Sequence, residues 1–139
     1  MFTSVSARSA SAYKRASVDA SVEMASPHQL VTLLFDALQR ALGGASLAMA
    51  AGDISAKCNH ISTAIRILEE GLIAPLDLAK GGELAANLKN LYEYCVRRLV
   101  LANAKNDLAL LDEVKQLIEP VVSGWKQIDG QGPAYLKPV

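Results

Sequence analysis

Aromatic residues make up only 5% of this 139-residue chain, and neither charge sign is in excess, with 14 basic residues against 14 acidic ones. The first scarcity, beside a hydrophobic share of 51%, speaks for a Leu/Ala/Val-rich helical protein and against a β-sandwich. The second removes the electrostatic footprint of a nucleic-acid surface. Cys58 and Cys95 are too few and too far apart for a disulfide scaffold. Both fall in apolar helical patterns and read as free thiols in a reducing compartment. No run approaches about 20 uninterrupted apolar residues, so no transmembrane span and no membrane insertion is expected. The length suits one domain with a sizeable core.

Catalytic chemistry is equally scarce. The two histidines are His28 and His60. His28 falls in the first turn of a helical pattern, where a solvated side chain is expected. His60 is two residues from Cys58, which on a helix sets the side chains roughly 200° apart and prevents them from sharing a metal. No Glu-x-x-His pair supplies di-iron ligands. Gly81-Gly82 is a pair without a preceding strand, not a phosphate loop. Glu69 and Glu70 read as a solvated charge pair, and Asp36 is placed to pair with Arg40 at i+4. Neither an enzyme nor a cofactor is expected.

What is present is helix. Ser26-Pro27-His28-Gln29 is a strong start signal: a capping Ser, Pro at the first helical position, and a Gln to close a capping box. The first helix is expected from Pro27 to Ala51, ending at Gly52, with Gly43-Gly44 marking a close approach or a bend. Asp53 caps a second helix limited by Pro75. Gly81-Gly82 leads to a third, from about Glu83 to Lys105, with Leu84, Leu88, Leu91, Cys95, Leu99 and Ala102 as its inner stripe. Asn106-Asp107 ends it and caps a fourth, carrying Leu111, Val114, Leu117, Ile118, Val121, Trp125 and Ile128. Similar lengths and short connections predict an all-α fold, an antiparallel up-down four-helix bundle over residues 26–128. Residues 1–25 are small, polar and Ser-rich and read as a flexible N-terminal arm or short helix, detachable from the body, with Tyr13, Val18 and Val22 on one face. The basic residues ahead of Asp19 imitate an organellar transit peptide, a reading less favoured than the arm. Gly130, Gly132, Pro133 and Pro138 make 129–139 a flexible C-terminal tail.

The stripes differ in width. Those of the second and fourth helices span roughly 120° and 140°, while the first fills roughly 200°. On the first helix Val31, Leu38 and Leu42 widen the face beside Leu34, with Phe35 further round. On the third, Tyr92, Val96 and Val100 widen it beside Leu91 and Leu99. Two wide faces make either a broad core or a groove for another amphipathic segment. Asn87 and Asn103 are either hydrogen-bond donors to such a segment or solvated polar positions. Arg97 and Arg98 have no assignment from pattern alone.

Ala12-Tyr13, Ala25-Ser26-Pro27-His28-Gln29-Leu30, Leu34-Phe35-Asp36, Lys80-Gly81-Gly82-Glu83-Leu84-Ala85, Asn87-Leu88, Leu91-Tyr92-Glu93-Tyr94, Arg97-Arg98-Leu99, Ala102-Asn103, Asn106-Asp107, Glu113-Val114 and Trp125 together resemble the flagellin export chaperones (FliS), from about Tyr13 to Ile128. Ala37 stands where the family often has glycine, and Cys95 where methionine is common. The resemblance implies an antiparallel helical bundle in the bacterial cytoplasm that binds the disordered C-terminal segment of flagellin, prevents its premature polymerisation and delivers it to the export gate, the cytoplasmic domain of FlhA. It also implies that the arm, through Tyr13, covers the groove until cargo displaces it. The expected client-binding residues are Tyr13, Val31, Leu34, Leu38, Leu42, Asn87, Leu91, Tyr92, Val96, Leu99, Val100 and Asn103. The competing expectation is a self-associating bundle without a flagellin client, whose homodimer buries the same surplus surface.

Overall fold

The computed structural model describes residues 26–128. The expected arm and tail, and Tyr13 with them, lie outside the described residues. The elements are α1 (Pro27–Ala51), α2 (Ile54–Arg66), a π-helical segment (Ile67–Ile73) that continues α2, α3 (Leu78–Lys105) and α4 (Leu108–Lys126). α1 packs on α2, the π segment and α4, while α3 packs on α4, the π segment and α2. This is the up-down bundle, with α1 and α3 on the diagonal.

Local chemistry fixes the ends. Ser26 Oγ accepts from the Gln29 N–H at 3.2 Å, and Gln29 Oε1 accepts from the Ser26 N–H at 3.0 Å. This reciprocal pair satisfies donors that the first turn leaves free. Gly52 closes α1 in the left-handed region at φ 73°, after which Asp53 accepts from the Ala56 N–H at 3.1 Å. Asn106 closes α3 at φ 52°, and Asp107 caps α4 through the Ala109 N–H at 2.9 Å. The α1–α2 and α3–α4 turns are therefore short and set by side-chain caps.

The α2–α3 end departs from expectation. α2 does run towards Pro75, but its last turns widen into the π segment. Gly71 lies there against Leu34, and a Cβ at Gly71 would sit 3.1 Å from a Leu34 methyl. α3 opens earlier than expected, at Leu78, capped by Asp77 accepting from the Lys80 N–H at 3.0 Å. Gly82 then breaks the helix at φ 52° and ψ −130°. The regular helix resumes at Glu83.

The core corrects the expected stripe of α3. Leu84 is 53% exposed, although it shares a helical side with buried Cys95. α3 is 28 residues long and α4 is 19. With the turn short and the regular part of α3 starting at Glu83, about four of its residues, roughly 6 Å, have no α4 beside them. Leu84 lies on that overhang. Tyr92, expected on a flank, instead joins Cys95 and Leu99 inside. α1 is buried around most of its circumference from Leu30 to Met49, with Arg40 and Leu47 exposed.

One charged side chain is inside as well. Lys57, 3% exposed, donates from Nζ to the Asn103 carbonyl at 2.9 Å. That carbonyl belongs to the last turn of α3, where carbonyls lack intrahelical donors and the dipole favours a cation. The lysine thereby ties α2 to the end of α3.

The paired glycines of α1 are not equivalent. A Cβ at Gly43 meets nothing within 4 Å, whereas a Cβ at Gly44 would lie 2.7–2.9 Å from the His60 ring. Gly44 is thus the close approach of α1 to α2. Replacing Gly43 by Ala is expected to stabilise the fold by about 0.5–1 kcal/mol through helix propensity. At Gly44 the same change displaces His60, and its stability falls below that of the Gly43 variant by about 1 kcal/mol or more. Urea unfolding of the two variants checks this, and equal midpoints contradict it.

Candidate functional site

Polar side chains close two of the four seams. Between α1 and α4, Lys126 Nζ pairs with Asp36 at 3.3 Å, Gln39 donates to Glu119 at 3.1 Å, and Lys115 donates to Ser46 at 3.3 Å. Asp36 was expected to pair with Arg40 along its own helix; the partner across the seam is the one it takes. At the same seam Trp125 Nε1 donates to Thr32 Oγ1 at 3.0 Å, and the His28 ring stacks on Trp125 at 4.7 Å between centroids. His28 is therefore a packed residue that helps hold the end of α4 against the start of α1, not the solvated one expected.

Between α3 and α4, Glu113 is the hub. The Tyr94 hydroxyl donates to Glu113 Oε2 at 2.6 Å, and Arg98 Nε donates to Oε1 at 2.7 Å. The guanidinium carbons of Arg97 and Arg98 lie 5.9 and 5.6 Å from the Tyr94 ring centre. The bond to Glu113 holds the Tyr94 phenol above its ordinary range. The donated hydrogen bonds, from Tyr94 first and Arg98 second, hold the Glu113 carboxyl below its own.

The seam between α2 and α3 is different. Its polar contacts sit at one end, where Lys57 and Cys58 both reach Asn103; Cys58 Sγ donates to Asn103 Oδ1 at 3.4 Å. Ile65 lies two turns on from Cys58 and Val96 two turns back from Asn103, so antiparallel register sets them opposite one another. Both are half-buried, and Val100 beside them is 55% exposed. Together they make an apolar strip along this seam.

The twelve expected client-binding residues divide accordingly. Leu34, Leu38, Leu42 and Leu99 are fully enclosed in the core. They form the bundle itself and no surface: α2, the π segment and α4 take up the width of α1, and Leu99 is on the inward line of α3. Val31 and Tyr92 are buried but line a narrow apolar cleft with Phe35, Gly71, Leu72, Leu76 and Trp125. Leu91 and Val96 are half-buried on α3, Val100 and Asn87 are exposed, and Asn103 is engaged by α2. Tyr13 lies outside the described residues. Pattern reading missed Trp125, Thr32, Glu113 and Lys57 as organising residues, because each acts through a partner on another helix. Among the described residues no cluster of His, Cys, Asp and Glu could hold a metal, and no helix is long and apolar enough to cross a membrane.

Two measurements follow from the titratable groups. A carboxylate with a depressed folded pKa stabilises above its unfolded value, near 4.5 for Glu113, and that contribution fades as pH falls through the lower folded value. In acid titration followed by circular dichroism, the Glu113→Gln variant is expected to lose stability less steeply below that point than the parent. Equal slopes contradict this. Burial, with the Glu113 charge second, pushes the Cys95 thiol up to about 11, so it remains protonated and shielded at neutral pH. A thiol reagent is expected to modify half-buried Cys58 first and Cys95 only on unfolding. Simultaneous labelling contradicts this.

Sequence comparison agrees with the geometry. The family described as "Flagellar protein FliS" matches residues 9–132. The chain is 47% identical to the flagellar secretion chaperone FliS of Salmonella typhimurium over 117 residues, covering 84% of this chain and 87% of that protein. It is 46% identical to the flagellar secretion chaperone FliSB of Pseudomonas aeruginosa over 116 residues, 84% of this chain and 91% of the other. Against the Escherichia coli FliS the figures are 41% over 121 residues, 87% and 89%. The family model covers most of the chain and the relatives match it over more than four-fifths of its length, so the chain belongs to the FliS family of flagellar secretion chaperones.

Proposed function

We propose that the chain binds the C-terminal segment of flagellin in the bacterial cytoplasm, keeps it from polymerising and delivers it to the export gate, the cytoplasmic domain of FlhA. The observation that carries the reading is the apolar strip of Ile65, Val96 and Val100 on the α2–α3 seam, with Val100 exposed, on a member of a flagellar secretion chaperone family. The client lays an amphipathic face along that strip and orders as it does so. The cleft of Val31 and Tyr92 is a second seat on the same bundle, at the end where α3 overhangs α4. Such coupled folding buries on the order of 1,000–3,000 Å². Part of the contact energy offsets the entropy the segment loses, which keeps affinity modest and release possible. Tyr13 and the rest of the arm compete for the same surface and lower the apparent affinity.

Calorimetric titration with a peptide of about 40 residues from the C-terminus of the same genome's flagellin is expected to show binding with a large negative heat-capacity change. The Val100→Asp variant, altered at an exposed position, is expected to keep its fold and to bind at least about tenfold more weakly, since a carboxylate would be desolvated against apolar surface. No heat from the folded parent at several temperatures would instead favour the self-associating bundle.

A further inference from the structure

We infer that Arg97 borders the client strip as an anchoring cation, and that the segment seated on Val96 and Val100 carries a carboxylate that pairs with it. The inference deepens the proposed flagellin binding and rests on it. Three observations support it. On the helical wheel Arg97 lies about 60° beyond Val100, on the outer crest of α3, so its long side chain, which rests on the Tyr94 side in this structure, borders anything lying along the strip. The neighbouring charges are already matched: Lys89 pairs with Glu93 at 3.5 Å, and Arg98 pairs with Glu113 at 2.7 Å. Arg97 is exposed and pairs with no carboxylate among the described residues. Its contact is the Tyr94 ring, 5.9 Å from the guanidinium carbon, and that ring is itself tied to Glu113 at 2.6 Å.

The consequence is a cation held ready at the edge of an apolar surface. An arginine's planar fork suits a carboxylate, and its length lets the guanidinium turn to a segment seated beside it. A polar rim beside an apolar centre is the ordinary anatomy of a protein interface. The occupant that fits is therefore an amphipathic segment with an acidic side chain flanking its apolar face. A neutral or basic flank would leave Arg97 unmatched beside desolvated surface.

The test is titration of the flagellin C-terminal peptide against the full chain, its Arg97→Lys variant and its Arg97→Glu variant, at low and high salt. Binding is expected to weaken about three- to tenfold in Arg97→Glu at about 50 mM salt and to stay near the parent in Arg97→Lys. The gap is expected to shrink at about 500 mM salt. Replacing the peptide's acidic residues by Lys one at a time is expected to identify one that restores binding to Arg97→Glu. If the parent binds and Arg97→Glu binds equally well at low salt, or if no charge reversal restores binding, the anchoring role is overturned while flagellin binding stands. If the parent does not bind, both readings fall. Circular dichroism of the variants confirms the fold.

Discussion

The structure depends on the burial of α1. Its apolar side chains from Leu30 to Met49 point in too many directions for a single partner, so α2, the π segment and α4 enclose it together. Each neighbour is drawn in by the same helix, and α3 takes the diagonal. α3 needs less of its own surface to complete the core, and Tyr92, Cys95, Leu99 and Ala102 supply that part. The apolar residues of α3 outside that line, Val96 and Val100 among them, remain on or near the surface. Spare apolar surface beside the α2–α3 seam therefore belongs to α3, while on α1 the exposed large hydrophobic residue is Leu47.

Polar contacts sharpen the distinction. The α1–α4 seam is held by Asp36–Lys126, Gln39–Glu119, Ser46–Lys115 and the Thr32–Trp125–His28 contacts. Glu113 holds the α3–α4 seam. Individually, exposed contacts of this type are worth little. Their effect is to favour one arrangement of side chains and to cover apolar neighbours, and on the α2–α3 seam such contacts lie at Asn103.

Much of this was legible from local chemistry. Ser26-Pro27-His28-Gln29, Gly52-Asp53 and Asn106-Asp107 carry their cap geometry in their own side chains, so the helix ends follow from sequence. The bundle follows from helix lengths and short turns. Where the stripe of a wide helix divides between core and surface does not follow, because that is set by its neighbours. Leu34 and Val100 are both apolar positions on wide faces, yet one is enclosed and the other is exposed. Leu84 illustrates the same point: its periodicity points inward, but α4 ends before reaching it. The π segment, the Gly82 break and the partners of Asp36 and His28 rest on contacts with distant parts of the chain, which periodicity does not encode.

Hydrogen exchange, with and without the flagellin C-terminal peptide, tests the central claim most directly. The account predicts added protection along α3 around Val96–Val100 and along the facing side of α2 around Ile65. The amides around Leu34 and Leu38, already enclosed, should change little. Protection that appears chiefly along α1, with α3 unchanged, would contradict it, since the client would then have to open the core to bind.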